Sequence, residues 1–118
     1  MQFLLLIYDQ EADWTKLTSA QQVAMYQEYG QFTKEITEKG KFIAGGQLKP
    51  VATATTVRVR DGKRVTTDGP FAETKEQLGG YYLIEAKDLD DAIAVASRIP
   101  SVRWGSIEVR PIIFHPMP

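Results

Sequence analysis

The sequence predicts an α+β fold of ferredoxin-like order, βαββαβ with an inserted β-hairpin, and three observations carry that expectation. Gln2 to Tyr8 and Gly80 to Ala86 are apolar on both alternating faces, as interior strands are. Two stretches with helical spacing of apolar residues each lie between strand-like segments, and right-handed crossovers would place both helices on one face of the sheet. Asp61-Gly62 stands between two β-branched runs, a strong short-range hairpin signal.

In the first strand Phe3, Leu5 and Ile7 point one way and Leu4, Leu6 and Tyr8 the other. Asp9 to Leu17 is polar and irregular, and reads as a connection. Thr18-x-x-Gln21 then has the form of a capping box, and the long helix it opens carries Met25, Tyr29, Phe32 and Ile36 as its apolar stripe. Gly40 after Lys39 stops it, because glycine takes the left-handed conformation without penalty. Lys41 to Leu48, bounded by Pro50, is the second strand, with Gly45-Gly46 marking a bulge or a close backbone approach.

Thr53 to Arg60 and Arg64 to Asp68 form the hairpin. A two-residue loop would pair Val59 with Arg64; a three-residue loop or bulge pairs Val59 with Val65 and gathers the arginines on the wet face, and this bulged form is the expectation. Asp68-Gly69-Pro70 forces a change of direction before the apolar strand resumes. Asp88 caps a second helix whose inner face is Leu89, Ala92 or Ile93, Ala96 and Ile99, ended by Pro100. Ser106 to Phe114 is the last strand, at an edge because Pro111 removes a ladder donor, and the tail from His115 frays.

The 118 residues fit one domain spanning 1–118, and a net charge of −1 gives no global field for nucleic acid or acidic membrane. The absence of cysteine excludes disulfides, thiolate metal sites and a cysteine nucleophile, and the single His115 excludes a histidine-rich metal centre within one chain. No metal and no cofactor is expected, although oxygen ligands alone could bind magnesium or calcium. Phe3 to Ile7 falls short of the ~20 apolar residues of a membrane span, so the expected location is cytoplasmic. Gly79-Gly80 lacks the spacing of a dinucleotide or phosphate loop. Arg58, Arg60, Lys63 and Arg64 make a basic patch, but Asp61 interrupts it and valines stand where stacking aromatics would be, so nucleic acid is not an expected partner. Two helices cover one sheet face only, which leaves the other face of both central strands in need of a partner. A second copy, sheet against sheet in a homodimer, is the simplest cover.

The stretch Thr67 to Glu85 concentrates the unusual chemistry. Asp68, held by a rigid turn, reads either as a general base or ligand anchor, or as an Asx-turn whose oxygens accept backbone amides. Tyr81 and Arg110 complete the candidate catalytic set; Arg110 shares a strand face with Glu108, so the pair is an ion pair or the guanidinium clamps an anionic substrate. Tyr8, Phe71, Glu73, Lys75 and Tyr82 are the candidate ligand-binding residues, with Glu76 beside them at a pocket mouth. The tyrosines read equally as core or interface aromatics, and His115 as a solvated tail residue.

Asp68-Gly69-Pro70-Phe71, followed by Ala72-Glu73-Thr74-Lys75-Glu76 and Gly79-Gly80-Tyr81-Tyr82, resembles the DGPF-type branch of the YCII-related family. The hairpin ATATTVRVRDG, the helix DLDDAIAVASRIP and the strand GSIEVRPI extend the resemblance over nearly the whole chain. It implies a dimeric α+β barrel with an active-site pocket, and an association of DGPF members with extracytoplasmic-function sigma factors; no general activity belongs to the family. Some of its members carry a His-Asp pair and one is a dehydrochlorinase. Asp68 matches a family position here, but neither the first strand nor the long helix contains a histidine. The resulting expectation is a small-molecule-binding protein, either a cofactor-independent enzyme using Asp68 for proton transfer or a ligand-sensing module linked to transcription.

Overall fold

A computed structural model describes residues 1–116. In chain order it contains β1 (Gln2–Asp9), α1 (Glu11–Thr15), α2 (Ser19–Glu38), β2 (Phe42–Gln47), β3 (Thr55–Arg60), β4 (Lys63–Asp68), β5 (Gln77–Glu85), α3 (Leu89–Ala96) and β6 (Ser106–Pro111). Strands β2, β5, β1 and β6 form one antiparallel sheet in that order, and β3 and β4 form a separate two-stranded sheet. The two strands that are apolar on both faces are the two central ones. Strand β6, ending at Pro111, lies at an edge, as proline requires.

Alternation along β1 decides where the core lies. Phe3, Leu5 and Ile7 are buried against the helices, together with Tyr82 and Ile84 of β5 and Phe32 and Ile36 of α2. Leu4, Leu6, Tyr8, Tyr81 and Leu83 take the opposite face, which no helix covers, and remain half-exposed. The molecule is only 19 Å thick, the depth of one sheet and one helix layer.

Local signals explain the element ends. Thr18 accepts from the Gln21 N–H at 3.1 Å while Gln21 Oε1 accepts from the Thr18 N–H at 2.8 Å, the capping box that starts α2. Gly40 stops the helix at φ +70. Gly45 and Gly46 admit the rings of Tyr82 and Tyr81, each of which a Cβ would meet within 3.3 Å.

Several details differ from the expectation, among them the last strand, which stops at Pro111 rather than reaching Phe114. The connection after β1 contains the short helix α1, pinned by Trp14 edge-on to Tyr26 at 5.3 Å and started by acids in its first turn. The inner face of α3 is Ala92, Val95 and Ala96, with Ile99 buried in the following turn; Leu89 and Ile93 face water. Helix α3 ends at Ala96 rather than running to Pro100, which instead opens a 3₁₀ turn. The hairpin has no bulge: Val59 pairs with Arg64 and Arg58 with Val65. Asp61 and Gly62 both have positive φ, 52 and 73, the two-residue turn whose twist matches that of the strands. Each face therefore mixes valine with base, Val57, Val59 and Arg64 on one side and Arg58 and Val65 on the other.

One ion pair ties α3 to the sheet layer. Lys41 Nζ lies 2.6 Å from Asp91 Oδ2, which also accepts from the Lys87 N–H at 3.0 Å. The lysine bond, then the backbone bond, hold the Asp91 carboxyl below its ordinary range. A lowered folded-state value stabilises the fold above the unfolded-state pKa, and the gain is lost as pH falls through the folded value. Asp91→Asn is thus expected to lower the urea midpoint at neutral pH, with the gap to the parent closing in acid. A gap that persists after full protonation would assign the effect to packing.

Candidate functional site

The end of β1 is where an apolar strand turns polar. Ile7 is in the core, Tyr8 points to the open face, and Asp9 returns to the helix side, paired with Gln77 across a register shift in β5. Backbone crowds Asp9 from β6: a Cβ on Gly105 would stand 2.3 Å from the Tyr8 carbonyl oxygen and 3.0 Å from Asp9 Cβ. On the β5 side Gly79 offers no side chain, and its Cβ position is 3.7 Å from Asp9 Oδ1. Only glycine allows the chain to pass Asp9 so closely on the β6 side.

On the open-face side of this strand end lies a cleft of about 540 Å³ lined by Tyr8, Gln10, Thr74, Lys75, Glu76 and Ser106. The segment bearing Glu76 is fastened from within. Gln77 Nε2 donates to the Thr74 carbonyl at 2.8 Å, its Oε1 accepts from the Glu11 N–H at 3.0 Å, and the Thr74 hydroxyl donates to the Glu76 carbonyl. Glu11 is itself committed, accepting from the Val51 N–H at 2.8 Å. The carboxylate of Glu76 accepts from Ser106 Oγ at 2.9 Å, and Tyr8 donates to Glu108 at 3.4 Å.

The electrostatics follow from this crowding. Burial raises the proton affinity of Asp9; the Trp104 indole N–H opposes the shift, and the charges of Glu76, Asp13 and Glu11 add to it. Nearby, Tyr29 and Ser101 share a short hydrogen bond, and burial of the Tyr29 ring raises its phenol above the ordinary range. A half-buried carboxyl that holds its proton more tightly than usual, at the strand end whose next residue lines an open polar cleft, has the character of a group that exchanges protons.

The residues read from the sequence are dispersed. Tyr8 and Lys75 line the cleft; Glu73 is exposed beyond its lining. Asp68 lies exposed at the end of β4, and its carboxylate makes no hydrogen bond among the described residues, so the Asx-turn is not formed. Tyr81 covers Gly46 near the β2 edge, while Arg110 is exposed near the β6 edge, 3.5 Å from Glu108 in a surface ion pair. Tyr82 faces the helices, sharing a 2.8 Å hydrogen bond with Thr33 and packing edge-on against Phe32 and Phe42, so it belongs to the core. Phe71 is 80% exposed beneath Arg58, and His115 is exposed.

Sequence reasoning passed over Asp9, Ser106 and Trp104. One signal was present for the first: Asp9 is the charged residue that ends an otherwise apolar central strand. Among the described residues no cluster of His, Cys, Asp or Glu could hold a metal ion, and no helix is long and apolar enough to cross a membrane.

An uncharacterized protein of Rhizobium meliloti (strain 1021) is 32% identical over 117 residues, covering 98% of this chain and 94% of its own. Among solved structures, the 5-chloro-2-hydroxyhydroquinone dehydrochlorinase of Burkholderia phenoliruptrix AC1100, in complex with 2,5-dihydroxybenzoquinone, is similar in fold, with a TM-score of 0.57 at 15% identity over 98% of this chain and 96% of that one. A family model for the YCII-related domain matches residues 1–115, and the chain therefore belongs to the YCII-related family.

Proposed function

We propose that this protein binds a small hydroxylated ring compound in the cleft at the end of β1, as a homodimer whose open sheet faces meet, and transfers a proton to or from it without a cofactor. Two observations support the reading: a cleft that presents Tyr8, Glu76 and Ser106, and, one residue beyond Tyr8 on the helix side of the same strand end, Asp9, a half-buried carboxyl of raised proton affinity. The proposal moves the proton-transfer role from Asp68 to Asp9, because Asp68 is exposed and its carboxylate makes no hydrogen bond among the described residues. Tyr8 and Ser106 would orient the ring oxygens, Lys75 would face an ionised hydroxyl, and Tyr81 and Arg110 would belong to the covered sheet face. The fold's likeness to a dehydrochlorinase captured with a dihydroxybenzoquinone suggests 2,5-dihydroxybenzoquinone as the probe.

Calorimetric titration with that probe tests the reading. Ser106→Ala removes one hydrogen-bond donor from the site and is expected to weaken binding by about tenfold, the effect of roughly 1.4 kcal/mol. Asp68→Asn should leave the affinity within about twofold of the parent. The opposite order of effects would return the site to the hairpin base.

A further inference from the structure

Strands β3 and β4 pair only with one another, and hydrogen bonds hold them to the connecting segments at their base: the Gly69 N–H donates to the Ala54 carbonyl at 2.8 Å, and the Thr56 hydroxyl to the Gly69 carbonyl at 2.9 Å. The hairpin is an arm. It helps to make the molecule broad, with extents of 48 × 48 × 19 Å and a radius of gyration of 16.5 Å, against about 13.5 Å for a compact chain of this length. A lone two-stranded ribbon is marginal in water, and this one exposes 59% of Val57 and 62% of Val59 on a single face. Arg64, opposite Val59, shares that face. Among the described residues Arg58, Arg60, Lys63 and Arg64 enter no salt bridge.

The charge that would match them lies at the end of β1, on the main sheet rather than on the arm. Glu76 lines the cleft at the end of β1, next to Lys75, and the charges of Glu76, Glu11 and Asp13 all act on Asp9; among the described residues neither Asp9 nor Glu76 enters a salt bridge. Because this acidic end adjoins the uncovered sheet face, a second copy laid on that face passes directly over the cleft. Hydrophobic need and opposite charge thus select the same occupant, another copy of this chain.

We infer that the β3–β4 arm of each copy crosses to the other, laying Val57 and Val59 against it and bringing Arg64 to the Glu76 carboxylate in the partner's cleft. The site is then shared. Its Glu76 carboxylate belongs to one chain and its closing guanidinium to the other, an arrangement in which a planar cation can bind a carboxylate through two hydrogen bonds. This rests on the cleft being the ligand site, but it is tested without any ligand.

The chain contains no cysteine, so introduced thiols report contacts without background. Arg64→Cys protein mixed with Glu76→Cys protein and mildly oxidised is expected to give a disulfide joining the two variants, whereas Arg64→Cys mixed with Glu38→Cys, on α2, gives none. Val57→Asp with Val59→Asp should weaken dimerisation by about tenfold or more. A monomeric parent, or dimers that form no Arg64–Glu76 crosslink, would overturn the shared site. So would an arm that instead retains nucleic acid in an Arg64-dependent way. If crosslinks fail while 2,5-dihydroxybenzoquinone still binds, the arm is refuted and the cleft survives; if crosslinks form and the probe does not bind, the ligand reading fails alone.

Discussion

Asp9→Asn is expected to abolish proton transfer while leaving the fold as stable as the parent or more so. A well-placed general acid or base contributes about 10²–10⁴-fold to rate, and a loss of that size is expected in the exchange of the probe's ring hydrogens with deuterated solvent. The stability change follows from the sign of the shift. Burial, opposed in part by the Trp104 N–H and reinforced by the charges of Glu76, Asp13 and Glu11, raises the folded-state pKa of Asp9 above its unfolded value. The favourable contribution of the protonated acid is complete below the unfolded pKa and disappears as pH rises through the folded one. At neutral pH the ionised carboxyl is therefore a burden on the fold, and the neutral amide removes it. Thermal melts across that pH range check this: the parent should lose stability over the window while the variant stays flat. A variant that melts well below the parent at neutral pH would show Asp9 to be a structural residue.

Gly105→Ala should be the most damaging single-methyl change in the chain. Its Cβ would stand 2.3 Å from the Tyr8 carbonyl oxygen, and backbone cannot swing aside as a flexible side chain can. Overpacking of this kind costs about 1–3 kcal/mol, and the upper end applies where a main-chain atom is the obstacle. At about 4 °C per kcal/mol the melting temperature would fall by roughly 10 °C, and binding in the cleft should fall with it, since Tyr8 and Ser106 are displaced together. Gly30, within α2 and with nothing inside 4 Å of its Cβ position, is the natural control. Gly30→Ala should raise stability by about 0.5–1 kcal/mol. If the two substitutions behave alike, the close passage of β6 over the end of β1 is wrong.

What could be read in advance was whatever depends on local pattern. Phe3, Leu5 and Ile7 against Leu4, Leu6 and Tyr8 announce a strand with two apolar faces; Thr18 with Gln21 announces a helix start; Pro111 announces an edge. Each of these is settled within a few residues of sequence. The hairpin register was not, because Val59 can face Val65 or Arg64 according to a turn conformation that Asp61-Gly62 permits in more than one form. The long-range choice was harder still. Asp68 is conspicuous beside Gly69 and Pro70 but ends on an exposed arm, whereas Asp9 is inconspicuous in sequence and acquires its environment from Gly79, Trp104, Gly105 and Glu76, which only the folded sheet brings to it. Tyr82 shows the same effect at the scale of one residue. Its neighbour Tyr81 faces the open side, while Tyr82 is turned into the core by strand alternation alone.

The most direct test is a crystal structure of the protein with 2,5-dihydroxybenzoquinone. The ring is expected among Tyr8, Glu76 and Ser106, at the end of β1 that carries Asp9. A ring bound instead at Asp68 on the hairpin, or between Tyr81 and Arg110 away from the end of β1, would contradict the account.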